Sequence, residues 1–399
     1  MTYNVYQHWD PLKVCIVGKS YSPEFYSFIT NPRVRTVMET IARETEEDYQ
    51  KLITLLESFG VEILRPEVSD NYEEYICNGK ILPPPMTPRD YTIMLGEQFF
   101  FDASTVIHRY KQEWDALKGE TWPVSPPSTI EEANSLPRYI KNELKTMTGW
   151  STDDLLNFGY ANKFNLKEKT WKNVLDHVKS HNKEVYNLVP HKALDYFNSA
   201  TSTRIGKDIY IGTEFYGQDL TENLNFLRQT YPDYRWHVVD TGGHSDATYC
   251  PVVPGLIVSL NDVPTYADTF PDWEVIYLPK QSWNAIMPFL QLKEKNKGKW
   301  WVPGEEFNDD FTEFVESWLG HWMGYVEETV FDVNMLVIDE KNVVCNNYNE
   351  DVFKAFDRYG ITPHVINFRH RYFWDGGLHC ITSDLHREGT LKDYFPGRG

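Results

Sequence analysis

A modular α/β fold is what the sequence predicts, and three observations predict it. A hairpin, a helix and a strand recur in that order at similar lengths, with little identity between the copies. The helical stretches carry an apolar stripe opposite charges, while the strands are short apolar runs. The chain has 399 residues, more than one ordinary core needs, which fits two or three packed units or one large domain of repeated modules.

The elements follow in order. LKVCIVG (12–18) reads as a buried strand. From Thr36 to Phe59 the spacing turns helical, with Val37, Ile41, Tyr49, Leu52 and Leu56 on one face. Gly60 ends that helix as a left-handed cap, and VEILRP (61–66) is the next strand. The second unit has RIGKDIYIG (204–212) as strands around a charged turn, TENLNFLRQTY (221–231) as a helix and YRWHVVD (234–240) as a strand. In the third, NMLVIDEKNVVCN (334–346) is a hairpin turning at 339–342. NEDVFKAFDRYG (349–360) is its helix, stopped by Gly360, and ITPHVINF (361–368) its strand. Residues 105–190 have a different texture, with PVSPPS at 123–128 and weaker periodicity, and are expected to form a mostly helical insertion or an embellished module.

Composition removes several function classes. A net charge of −19 repels phosphate backbones and anionic lipid, so neither nucleic acid nor a membrane surface is an expected partner. With 41% hydrophobic and 15% aromatic residues the chain has ample apolar surface to fold. The longest apolar stretch, Val252 to Leu260, is interrupted by Pro254 and Gly255 and is too short to span a bilayer. The opening MTYNVYQHWDPLK lacks a signal-peptide core and a transit-type helix, which leads to the expectation of a cytoplasmic protein. Five cysteines (15, 77, 250, 345 and 380), an odd count without CxxC, argue against a disulfide framework.

Neither GxxxxGK[ST] nor GxGxxG occurs, and no zinc-type spacing is present; His364 and His370 read as satisfied structural histidines. No metal and no organic cofactor is expected. Three polar clusters remain. In DGGLHCITSD (375–384), Cys380 follows two glycines and His379, a place for an exposed thiolate, although a small core residue is the competing reading. In DTGGHSDATY (240–249), His244 and Asp246 lie two apart and would share a face in an extended segment, as a candidate acid–base pair. In PPPMTPRDYTI (83–93), a proline run delivers Asp90 to the start of a hairpin. Thiol, imidazole and carboxylates together suit attack on a carbon of a cationic substrate.

Six segments, in order, carry a family resemblance: WDPLKVCIVGKS (9–20), PRDYTIMLGE (88–97), FNSATSTRIGKDIY (197–210), HSDATYCPVVPGLIVS (244–259), MLVIDEKNV (335–343) and GGLHCITSDLHREGTLKDYF (376–395). The sequence resembles, nearly end to end, the amidinotransferases of the guanidino-group-modifying superfamily, of the glycine and inosamine-phosphate type. That resemblance implies a single domain over 1–399 with the fold of a five-bladed α/β propeller of pseudo-repeated ββαβ modules. It implies Cys380 as nucleophile, His244 as acid–base, Asp90 and Asp246 as the carboxylates that grip guanidinium, and Arg204 and Glu328 among the substrate-binding positions. The implied reaction moves the amidino group of L-arginine to an amine acceptor, glycine by default, through an amidino-cysteine. Its partners are small-molecule substrates, and a homodimer is expected. Three departures stand out. Asn198 occupies the place of a catalytic Asp that orients the histidine, Val263 lies near where an arginine binds the amino-acid carboxylate, and Glu328 lies near a serine used for the same group. Two other classes stay open: a guanidine hydrolase on the same fold, and a non-catalytic guanidine-binding relative.

Overall fold

The computed structural model describes residues 1–77, 80–101, 127, 130–138, 140–142, 151, 166–183, 185–187, 197–213, 215–260, 266–278, 302–305, 307–319, 332–374 and 376–398. Its strands are β1 (Leu12–Val17), β2 (Glu62–Leu64), β3 (Ile76–Cys77), β4 (Lys80–Ile81), β5 (Thr92–Leu95), β6 (Gln98–Phe101), β7 (Val185–Asn187), β8 (Ser202–Ile205) and β9 (Asp208–Gly212). They continue with β10 (Arg235–Val239), β11 (Tyr249–Val253), β12 (Leu256–Ser259), β13 (Glu274–Tyr277), β14 (Leu336–Asp339), β15 (Asn342–Cys345), β16 (Thr362–Val365) and β17 (Thr382–Arg387). Apart from the small β3–β4 pair, they form five three-stranded sheets of one design. In each, an antiparallel pair is extended by a third strand lying parallel to the middle one. A parallel third strand needs a crossover, and helices supply it. Pro32–Ser58 (α1) precedes β2, and the helices Leu166–His181, Thr221–Thr230 and Glu350–Tyr359 precede β7, β10 and β16. One sheet is assembled from both chain ends, because β17 is the antiparallel partner of β1.

The three units read from the sequence are all present. The hairpins turn where expected, Ile205 pairing with Asp208 and Asp339 with Asn342. Gly60 and Gly360 close their helices at φ 74 and 69. α1 begins four residues before the periodicity suggested, because Asn31 caps it by accepting from Arg33 and Val34 N–H and Pro32 occupies the first helical position. The stretch expected as an insertion or embellished module contributes module parts. Leu166–His181 is the crossover helix and β7 the parallel third strand of the second sheet. Most of 102–165 lies outside the described residues.

Strand residues alternate between two cores, which explains why the strands read as continuous apolar runs. On β14, Leu336 and Ile338 join the core around α1, while Val337 joins the core with β11 and β12. On β1, Cys15 and Val17 face the α1 core, and Val14 and Ile16 face Phe99 and Phe101 of β6. Phe100 of β6 packs the other way, against Ile209 and Ile211 of β9. Sheets one and two, two and three, three to five, and five and one therefore share cores.

Strand β17 breaks the apolar rule: TSDLHR is buried along its whole length. Asp384 there meets three buried guanidinium groups, Arg204 (Nη2 at 2.9 Å), Arg387 (Nε at 2.7 Å) and Arg89 (Nη1 at 3.3 Å). Burial opposes charge on Asp384, but Arg204, Arg387 and Arg89 outweigh it and hold the carboxyl well below its usual range. Arg204 was expected to bind substrate. It is instead 0% exposed, donating to Asp384 and to the Met94 carbonyl at 2.6 Å. A guanidinium so enclosed ties β8 to β17 and β5 and has no face for a ligand.

Candidate active site

Each sheet's first strand is preceded by a polar turn, and these five turns are hydrogen-bonded in a closed circuit. Pro88–Asp90 forms a 3-10 turn before β5, Asn198–Thr201 turns into β8, and Ser245–Ala247, with His244 in front, forms a 3-10 turn before β11. Asn334 stands before β14, and the turn around Cys380 leads into β17. Ser199 N–H donates to Thr92 O (3.0 Å), Asp246 N–H to Ala200 O (3.1 Å), and Asn334 Nδ2 to Asp246 O (3.4 Å). Asn334 Oδ1 accepts from His379 and Cys380 N–H, and Arg89 Nε closes the circuit on His379 O at 2.7 Å. The circuit converts five sequence-distant segments into one rigid platform, as reactive groups require.

Cys380 and Asp246 come together here, the thiol donating to Asp246 Oδ2 at 3.6 Å. The same oxygen accepts from His379 Nδ1 at 2.8 Å. Burial, then Arg89 and His8, push His379 well below the usual histidine range, so the ring is neutral and holds its proton on Nδ1 for Asp246. His244 lies 4.0 Å from Asp90, Nδ1 to Oδ1, with both side chains about a third exposed (32% and 27%). His244 and Asp246 do not share a face of an extended segment: the 3-10 turn sends Asp246 inward, with 4% of its side chain exposed, and leaves His244 partly open. Asn198 Oδ1 caps its own turn, accepting from Ala200 N–H (3.0 Å), Thr201 N–H (3.0 Å) and the Thr201 hydroxyl (3.2 Å).

Cys380 is 1% exposed, so the expected exposed thiolate is enclosed. Paired glycines here allow close packing of the turn rather than solvent access. Its surroundings still set it apart from the core thiols. Burial pushes Cys15 and Cys250 up to about 12, and Cys345 is driven up by the same cause. Cys380 receives a side-chain N–H, from Asn334 Nδ2 at 3.0 Å, where the donor to Cys15 is the Ser383 backbone. Asn334 was not singled out in the sequence. The signal available was positional, since it precedes the third hairpin as Asp90 and His244 precede theirs. Glu328 and Val263 lie outside the described residues. His364 is satisfied as expected, by Asn342 Oδ1 at 2.9 Å; His370 Nε2 meets Glu44 Oε2 at 2.7 Å, but its buried Nδ1 has no partner among the described residues.

Behind Asp246 and His379 is a cavity of about 20 Å³, also lined by His8, Ser199, Ser202 and Arg387. It has room for one water and none for an organic substrate. Among the described residues, no group of three or more His, Cys, Asp or Glu side chains is arranged to hold a metal, and no helix is long and apolar enough to cross a membrane.

No protein-family model matches the chain. Glycine amidinotransferase, mitochondrial, of Xenopus tropicalis is 24% identical over 429 aligned residues, spanning 98% of this chain and 84% of that protein. L-arginine:L-lysine amidinotransferase of Pseudomonas savastanoi pv. phaseolicola is 28% identical over 215, covering 52% of this chain and 49% of that one. Among solved structures, an amidinotransferase of Microseira wollei in the saxitoxin biosynthetic pathway superposes with TM-score 0.58 at 15% identity, covering 99% of this chain and 100% of the other. Inosamine-phosphate amidinotransferase of Streptomyces griseus gives 0.57 at 16%, covering 98% and 99%. These two likenesses concern the fold.

Proposed function

We infer that the chain belongs to the amidinotransferase family and moves the amidino group of L-arginine to an amine acceptor, glycine by default, through Cys380. The observation that carries this reading is the circuit of five turns in which Cys380 lies 3.6 Å from Asp246, beside the turn pairing His244 with Asp90. The sequence likeness to glycine amidinotransferases along 98% of the chain supports it. The shared cores, each linking one sheet to the next and the fifth to the first, support a five-bladed propeller with the circuit at its axis.

The chemistry follows from the residues. Guanidinium is planar and permanently cationic, so Asp90 and Asp246 hold it by charge and by N–H donation. Its arrival neutralises Asp246; the Cys380 thiol gives up its proton to His244, and the sulfur attacks the guanidinium carbon. A C–S bond forms, the C–N bond to ornithine breaks, and His244 delivers a proton to the departing amine. The acceptor amine loses a proton to His244, attacks the amidino-cysteine, and the C–S electron pair returns to sulfur. The same imidazole serves both halves, which is ping-pong catalysis.

Mass spectrometry of the protein after arginine alone tests this. The expected result is an amidino adduct on Cys380 with free ornithine, both abolished in Cys380→Ala. Citrulline, or urea with ornithine, formed without any acceptor would move the assignment to the hydrolase class. No adduct and no product would leave a guanidine-binding protein. The cytoplasmic setting and a homodimer belong to the same proposal; the buried thiols of Cys15, Cys250 and Cys345, in no disulfide, support a reducing compartment.

A further inference from the structure

We propose that Asn334 is a further catalytic residue, an amide that fixes the nucleophile turn with its oxygen and donates its N–H to the Cys380 sulfur. This rests on Cys380 being the nucleophile. Asn334 Oδ1 accepts from two backbone donors, His379 N–H at 2.8 Å and Cys380 N–H at 3.2 Å. Two N–H groups can meet only an acceptor, so the orientation of the amide is fixed by chemistry. The NH₂ end must then face Sγ, 3.0 Å away, and the Asp246 carbonyl at 3.4 Å.

The surroundings are built for this contact. A Cβ at Gly377 would come within 2.5 Å of Asn334 Oδ1, so only glycine lets the turn close on the amide. Asn346, just past β15, donates to Asn334 O at 2.7 Å and accepts from Leu378 N–H at 3.3 Å. Asparagines at the two ends of one hairpin thus grip the nucleophile turn. Asn334 is 0% exposed, so its donor does not compete with bulk water.

An N–H aimed at sulfur favours the charged form. That matters when the thiol loses its proton, and again when the acceptor expels the sulfur and the C–S electron pair returns to it. In the amidino-cysteine the sulfur is uncharged and the contact matters less. Asp246, 3.6 Å from Sγ, acts in the opposite sense until a cation covers it. The other ionisable groups on the adjoining turns are His379, neutral and committed to Asp246, Arg89 on the His379 carbonyl, and the His244–Asp90 pair.

The test is a pH titration of ultraviolet thiolate absorbance in the full chain, taken as the difference from Cys380→Ser. It needs no substrate, so it stands whether or not arginine is the donor. Asn334→Asp keeps an oxygen for the two backbone donors and removes the donor to sulfur; Asn334→Ala removes both without adding charge. Both should raise the Cys380 midpoint by about one to two pH units. Formation of the amidino adduct should slow at neutral pH and recover as pH rises, with KM for arginine little changed. An unchanged midpoint in either variant that folds overturns the proposal. A rise with Asn334→Asp but none with Asn334→Ala would assign the effect to added charge and overturn the donor role. A missing adduct in the unsubstituted protein, with the midpoints shifted as expected, would count against the amidino-transfer reading and not against the contact.

Discussion

The proposed grip of Asp246 and Asp90 on a guanidinium predicts unequal consequences when either is neutralised, because their settings differ. Asp246 has 4% of its side chain exposed and shares one oxygen with His379 and Cys380; Asp90 has 27% exposed and pairs with His244 at 4.0 Å. Removing one partner of a buried charged pair costs about 3–5 kcal/mol, while partial exposure screens the effect. Asp246→Asn should therefore lower kcat/KM for arginine by roughly a hundred- to several-thousand-fold, and Asp90→Asn by clearly less. Equal losses would overturn the ranking by burial, and near-normal kinetics in both would remove the guanidinium grip. Asn198 poses a different question, because its oxygen already accepts three donors within its own turn. A carboxylate can take the same donors, so Asn198→Asp should keep its melting temperature while making His244 more basic and moving the pH optimum for adduct formation upward. An unmoved optimum would show that position 198 serves its turn alone. Cys380, His244, Asp90 and Asp246 could be singled out as candidates because each brings titratable chemistry beside a glycine or proline turn. Asn334 could not, since an uncharged amide before an apolar run has no such mark.

Elements were legible where one local cause dominates. The helix ends at Gly60 and Gly360 and the hairpin at 339–342 depend on turn chemistry and lie where the residues put them. The start of α1 was misjudged because periodicity was weighed above the Asn31–Pro32 cap. The stretch at 105–190 was undecided between insertion and module because the helix Leu166–His181 is far in sequence from the strand pair it completes. Two glycines separate backbone strain from packing. Gly360 has φ 69, and a Cβ there would meet nothing within 4 Å. Gly206 has φ 60, but its Cβ would lie 2.1 Å from the Lys392 carbonyl oxygen. Gly360→Ala should cost about 1–2 kcal/mol, the left-handed penalty alone. Gly206→Ala should cost more, because the β8–β9 turn must also move off the C-terminal segment. Equal shifts in denaturation midpoint would show that this segment yields freely.

At the scale of the whole molecule, the modular α/β character could be read from repeated units, but closure could not. No local pattern announces that β17 pairs with β1, or that Asp384, beside its strand neighbour Arg387, will collect Arg89 and Arg204 from distant segments. That interior polar hub sets the response to acid. His8 is pushed well below the usual histidine range by burial first and then by Arg204, and His379 by burial, Arg89 and His8. Both rings are neutral in the fold and take up protons below about 6.5 once unfolded. The unfolded chain then binds more protons than the native one, so stability falls as pH drops, by about 1.4 kcal/mol per pH unit for each such histidine. His370 and His386, lowered by burial, act in the same direction. Asp384 is shifted in the same direction, downward, but from a lower unfolded value. Its contribution is complete above the unfolded value of 3.8 and is lost only as pH falls through its depressed folded value. Between about 6.5 and 4, then, the buried histidines and not the central carboxylate govern acid sensitivity. The measurement is the unfolding midpoint across that window for the native protein and for His8→Gln, whose amide oxygen can still accept the Arg204 N–H that His8 Nε2 accepts at 3.2 Å. The native midpoint should fall steadily, and the variant should lose one histidine's share of the slope. A flat native profile would mean that these rings are charged inside the fold, and the neutral His379 that holds Asp246 would have to be abandoned with them.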